Sequence, residues 1–180
     1  AIALLLAAAR SPAATHLRGN LSAHDPSTVI QCQDRYYLFA TGAGIASRWS
    51  TNKVFWSAGP TIFTNAPAWT TNAAPGFDGT FWAPDIIVLN GRYCLYYSVS
   101  SWGSQVSAIG LVTNPTLDPT DPAYRWTDQG IVIQSTNGSP YNTIDPSVTR
   151  DAAGNPWLAF GSYWNGIYVV QLDPLTGLRL

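Results

Sequence analysis

The sequence predicts an all-β protein of the β-propeller kind, and three observations predict it. Residue usage argues against helix: all ten acidic residues are aspartate, none is glutamate, and Lys53 is the only lysine. Helical proteins use Glu and Lys freely on their exposed faces. One pattern also recurs three times: an aspartate beside a proline, an apolar strand, a polar turn, then an aromatic-rich strand, with the aspartates at 25, 85 and 145 and hence a period of 60. Finally, the turns inside these units, "QCQDR", "LNGR" and "RDAAGN", carry the Asn, Asp and Gly that tight hairpins require. About four short strands per unit at this period describe a propeller blade better than the hairpins of an ordinary sandwich.

Each unit yields its strands in order. The first, "HDPSTVIQCQDRYYLFATG", places a strand before the turn and another at Tyr36–Ala40, followed by "GIASRWS" and "KVFWSAG". The second, "WAPDIIVLNGRYCLYYSVS", turns at Asn-Gly into Tyr93–Val99 and continues through "SAIGLVTN" and "GIVIQS". The third, "IDPSVTRDAAGNPWLAFGS", reaches Trp157–Gly161 and then "GIYVVQLD", with no obvious last strand after it. The proline-rich stretch 113–126, "TNPTLDPTDPAYRW", reads as an ordered loop rather than a domain linker. Three blades do not close a ring, because propellers typically have about four to eight. Residues 18–180 therefore read as the N-terminal blades of a larger propeller domain in a truncated chain. Residues 1–17 read as the remnant of a secretory signal peptide, with an apolar run followed by small residues.

Charge excludes some partners. Only 11% of residues are charged and the formal net charge is −1, so the basic surface that nucleic acid requires is missing. The apolar run at the start is too short to span a bilayer. Eight Trp, nine Tyr and six Phe in a nearly neutral chain suit a neutral partner such as a sugar polymer, although a β-rich core uses the same residues. Cys32 and Cys94 each sit in an apolar strand-like run and read as buried free thiols. No Cys/His cluster offers a metal site, and no cofactor is identifiable.

In a propeller, the innermost strand of each blade lines the central channel, so a residue at its start stands near one mouth. The repeat therefore brings Asp25, Asp85 and Asp145 toward the same mouth. Converging carboxylates in an apolar cleft repel one another and lose solvent, which spreads their pKa values apart and lets an acid and a base coexist at one pH. The competing reading, an Asp-Pro turn at each blade start, is weaker for three in register than for one alone. His24, beside Asp25, has no Ser or Cys partner and reads as a residue that fixes the loop.

The segments "HDPS", "FDGTFWAPDI", "YYSVSSWGSQVSAIGLVTNPTLDP", "YRWTDQGIVIQS", "NTIDPSV" and "WLAFGSYWNGIYVVQLD", in that order, resemble the endo-1,5-α-L-arabinanases of glycoside hydrolase family 43 from about His24 to about Asp173. The resemblance implies a five-bladed propeller and hydrolysis of arabinan or arabino-oligosaccharides with inversion, and the signal-peptide remnant makes the expected enzyme a secreted, extracellular one. It implies that Asp25 of "HDP" is the general base and that Asp145 of "IDP" orients the general acid and raises its pKa. The family's acid is a glutamate from the second half of its sequence, and this chain contains none, so the chain by itself is expected to be inactive. The resemblance further implies that Trp82, Trp102, Gly103, Asn142, Ser162 and Tyr163 meet the substrate. It reads Asp85 of "WAPD" as structural, leaves Trp164 as a residue that could reach the cleft, and allows a structural metal ion in a complete propeller. Two alternatives stay open: an exo-acting arabinofuranosidase or β-xylosidase of the same family, and a carbohydrate-binding propeller without catalysis.

Overall fold

The computed structural model describes residues 16–180, so the segment read as a signal-peptide remnant lies outside the described residues except for His16 and Leu17. Strand β1 (Arg18–Gly19) is followed by β2 (Ile30–Cys32), β3 (Arg35–Ala40), β4 (Gly42–Ala43), β5 (Ala46–Ser50) and β6 (Phe55–Ala58). Next come a four-residue helix α1 (Thr70–Ala73), then β7 (Thr80–Leu89), β8 (Arg92–Val99), β9 (Ser107–Asn114) and β10 (Thr127–Ser135). The series ends with β11 (Ser147–Arg150), β12 (Pro156–Phe160) and β13 (Tyr168–Gln171). One helical turn among the described residues is what a chain without glutamate leads one to expect.

The strands form three sheets among the described residues, ordered β1-β6-β5-β3-β2, β10-β9-β8-β7-β4 and β11-β12-β13. Each sheet is built from antiparallel neighbours in sequence order, the up-and-down meander of a blade. Two short strands depart from the meander: β1 adds to the outer edge of the first sheet in parallel with β6, and β4 crosses to the second sheet to pair with the start of β7. The β7–β8 turn has positive φ at both Asn90 (47°) and Gly91 (71°), which suits the right-handed twist of paired strands. The third sheet has three strands, as the missing last strand in its sequence suggested.

Two apolar layers lie between successive sheets. Tyr37, Phe39, Ile45, Phe81, Tyr97 and Val99 fill the first, and Leu89, Tyr96, Leu111, Ile133, Leu158 and Phe160 the second. Side chains alternate across each strand, so one face of the middle sheet feeds each layer. Gly110 is required against the first layer: a Cβ there would stand 2.6 Å from the Tyr97 ring. Both cysteines are free and buried. Cys32 Sγ accepts the Leu117 N–H at 3.3 Å, and burial pushes the Cys94 thiol up to about 11. The two outer sides of the stack remain apolar and open, with Leu17, Leu21 and Val29 exposed at one end and Ile167, Val169 and Leu175 at the other.

Candidate active site

The hairpin topology decides which loops share an end. Strands β2, β7 and β11 run away from the residues that precede them, and β3, β8 and β12 return. Thr41, the turn Ser101–Ser104 and the segment 161–166 therefore come back beside Asp25 and Asp145.

At this end one cavity of about 250 Å³ is lined by Asp25, Pro26, Ser27, Thr28, Ala83, Pro84, Asp85, Asp145, Pro146 and Ser147. Each blade contributes one X-Pro step whose first residue has a left-handed backbone: Asp25 at φ 45°, Ala83 at φ 37° and Asp145 at φ 56°. Non-glycine residues rarely adopt this conformation, and sites held in it cost about 1–3 kcal/mol each. The equivalent positions are therefore 25, 83 and 145, and the second blade carries alanine where the others carry aspartate. Asp85 lines the same cavity, as its place in the repeat suggested, but it lies two residues further on, inside β7 after the irregularity between Trp82 and Asp85.

That offset gives Asp85 a different job. It is buried, its Oδ1 accepts the Thr28 N–H at 2.9 Å and its Oδ2 accepts the Val148 N–H at 2.8 Å. A buried carboxylate needs such donors, and these come from the two neighbouring blades. Asp25 and Asp145 instead stand on the exposed rim. The Thr41 hydroxyl donates to Asp25 Oδ2 at 3.0 Å and itself accepts the Ala83 N–H at 2.8 Å, while His24 Nδ1 stands 3.0 Å from the same oxygen. Asp145 is anchored through its backbone, its N–H donating to the buried Ser98 hydroxyl at 2.9 Å. Loss of solvent, and then the charge of Asp25, push the Asp145 carboxyl above its ordinary value. Asp145 thus feels the charge of Asp25 across the opening that both line.

Trp82, on β7, and Trp102, on the turn after β8, form a tilted pair with ring centroids 5.3 Å apart, and Trp102 is 91% exposed. Gly103, at φ 72°, has open space where a Cβ would be. Ser162 is half-buried and Tyr163 exposed, in the segment that follows β12, and Tyr163, Trp164 and Asn165 all have positive φ (56°, 29° and 68°). Asn142 differs from these expected contacts. It is buried, and its Oδ1 has no hydrogen-bond partner among the described residues. The adjacent Thr143 is drawn inward, its hydroxyl donating to the Ser107 carbonyl at 2.6 Å and its N–H to Ser135 Oγ at 3.1 Å, which carries Asn142 below the rim. Sequence reasoning missed Thr41 and Ser98, since a lone Thr or Ser at a strand end carries no signal of a partner on another blade. Among the described residues no group of three or more His, Cys, Asp or Glu could hold a metal ion. No helix among them is long and apolar enough to cross a membrane.

The arrangement has relatives. Residues 19–178 match the model for glycosyl hydrolases family 43. The chain is 44% identical over 155 residues to an extracellular exo-α-(1→5)-L-arabinofuranosidase of Cellvibrio japonicus, covering 85% of this chain and 44% of that protein. It is 41% identical over 177 residues to an extracellular endo-α-(1→5)-L-arabinanase of Bacillus subtilis, covering 96% and 53%. A structure of a Cellvibrio cellulosa α-L-arabinanase complexed with arabinohexaose superposes with a TM-score of 0.85 at 39% identity, over 89% of this chain and 51% of that one. The chain thus spans about half the length of these relatives. Its three sheets are blades of the β-propeller that is five-bladed in the arabinanases it resembles, and the chain belongs to glycosyl hydrolases family 43.

Proposed function

We propose that the protein carrying this chain is an exported enzyme that hydrolyses internal α-1,5-arabinofuranosidic bonds of arabinan with inversion. The observation that carries the reading is that Asp25 and Asp145, in one strained Asp-Pro conformation on different blades, line a single opening. Asp25 serves as general base: Thr41 holds Oδ2, which leaves Oδ1 to take a proton from an attacking water. Asp145 orients the general acid and keeps it protonated, and the acid comes from outside these 180 residues, which hold no glutamate. In an inverting glycosidase acid and base stand about 6.5–9.5 Å apart to admit that water. Trp82 and Trp102 offer flat apolar area to a furanose face, with Gly103, Ser162 and Tyr163 beside them on the returning loops; Asn142 acts from beneath. The names of the curated relatives, both extracellular and both acting on α-(1→5)-arabinose linkages, support the substrate class and the export.

An exo-acting reading has one specific support, the relative named an exo-arabinofuranosidase at 44% identity. Debranched arabinan separates the two. The full-length protein is expected to release a spread of oligomers, a single short product from the first time point favours exo action, and no release sinks both. Residues 1–180 alone are expected to release nothing above a no-enzyme control, and release would show that the acid lies within this chain.

Replacing the exposed indole is a separate test of the platform. Trp102→Ala is expected to raise KM for arabino-oligosaccharides about three- to tenfold, the worth of one aromatic stack, with a smaller change in kcat. An unchanged KM places the sugar elsewhere.

A further inference from the structure

Thr28 and Val148 occupy matched places: each is three residues past a rim aspartate, Asp25 in one blade and Asp145 in the other. Each turns its backbone N–H toward the same side chain on the blade between them, at 2.9 Å and 2.8 Å. We propose that Asp85 is a positioning residue that sets the separation of Asp25 and Asp145 by tying the entry of both flanking inner strands to its two carboxylate oxygens. The inference rests on the proposed roles of Asp25 and Asp145 and goes beyond them.

The geometry explains why the middle blade departs from the pattern of its neighbours. With alanine at position 83, the second blade adds no third charge at the rim, and its aspartate is moved two residues inward to where two N–H donors converge. Donation from opposite sides makes the carboxylate a spacer: neither blade can shift outward without lengthening one bond. The contact is also specific to a carboxylate. An amide offers one acceptor oxygen, and its NH₂ would face the other N–H donor to donor. Side chains at active sites must be held to well under 1 Å, and a displacement of about 1 Å costs on the order of 10²-fold in rate. Asp85 itself touches no substrate in this scheme, and its effect passes through the two aspartates it spaces.

The test uses the full-length protein and linear arabinan. Asp85→Asn is expected to fold, to lower kcat about 10²-fold and to leave KM within about threefold, because the Trp82–Trp102 platform is untouched. Val148→Pro removes one donor while retaining the carboxylate, at a strand position whose N–H points away from β12. It is expected to lower kcat about tenfold, and the double variant to fall no further than Asp85→Asn alone, since both changes break the same bond. An unchanged kcat in Asp85→Asn, a loss confined to KM, or strictly multiplicative losses in the double variant overturns the proposal. If Asp85→Asn does not fold, Val148→Pro decides by the same criterion, and failure of both to fold makes Asp85 scaffold and also overturns it. A wild-type protein inactive on every arabinan sinks the functional reading instead. The tie is then read from a crystal structure of Asp85→Asn, where unmoved Thr28 and Val148 overturn it and a widened gap between Asp25 and Asp145 upholds it.

Discussion

In the full-length protein, Asp25→Asn is expected to lower kcat on linear arabinan by about 10²–10⁴-fold, the usual cost of losing a general acid or base. The substitution is close to isosteric. An asparagine can still take the Thr41 hydroxyl bond on its amide oxygen, so the chain of contacts from the Ala83 N–H through Thr41 to residue 25 survives. What it loses is the ability to accept a proton from water, and neither of the other two carboxylates lining the cavity replaces it: Asp145 is committed to the general acid in the proposed scheme, and Asp85 has both oxygens engaged. Under the proposed reading the ground-state contacts with the sugar lie at Trp82 and Trp102 and are unchanged, so KM is expected to hold within about threefold. The pair of results, kcat lost and KM kept, distinguishes a missing base from a damaged fold or a weakened subsite. Turnover within tenfold of wild type would show that residue 25 is not the base. It would also revive the reading of this propeller as a carbohydrate binder whose aspartates serve only the turns.

Much of this fold was legible because its signals are local and repeated. The absence of glutamate, the Asn90-Gly91 turn and the aromatic strands each act within a few residues, and all three second strands, β3, β8 and β12, fall where the sequence placed them. The shared opening for Asp25 and Asp145 was legible for the same reason, since identical Asp-Pro steps in equivalent places fold identically. Asp85 marks the boundary of that method. Counting aspartates at a period of 60 aligned it with its neighbours, whereas the backbone aligns Ala83, because what repeats physically is a left-handed residue before proline and not a side chain. Its two partners, Thr28 and Val148, lie 57 and 63 residues away in sequence and are joined to it only by the stacking of blades. Thr41 and Ser98 were hidden in the same way. The depth of Asn142 was hidden too, because it is set by the hydrogen bonds of Thr143 to β9 and β10, a contact between strands that no pattern within "YNTIDPSV" reports.

Asp145→Asn is expected to move activity and stability in opposite directions. Under the proposed mechanism the negative charge of Asp145 keeps the general acid protonated. Removing it lets the acid ionise about one to two pH units earlier, so the alkaline limb of the kcat profile shifts down and kcat above the lowered pKa falls by up to the same factor, about 10–10²-fold. The folding term has the other sign. The carboxyl of Asp145 is raised above its ordinary 3.8 in the folded protein, first by loss of solvent and then by Asp25. Between the unfolded value and the raised folded one the native state holds more protons than the unfolded chain, so stability falls as pH rises through that window. Above the window the wild type carries the whole penalty of an ionised, partly desolvated carboxylate facing a second one. An asparagine never ionises and carries none. Because the side chain stands on the exposed rim, solvent screens much of this, and the gain in Tm at pH 7 is expected to be only about 1–2 °C. Below about pH 3 both carboxyl and amide are neutral, and the two proteins are expected to melt together. Melting curves across this range check the sign: a variant less stable than wild type at neutral pH would mean that Asp145 is held by contacts favouring its charge, and the strained rim position would have to be read as a structural tie and not as a site kept ready for catalysis.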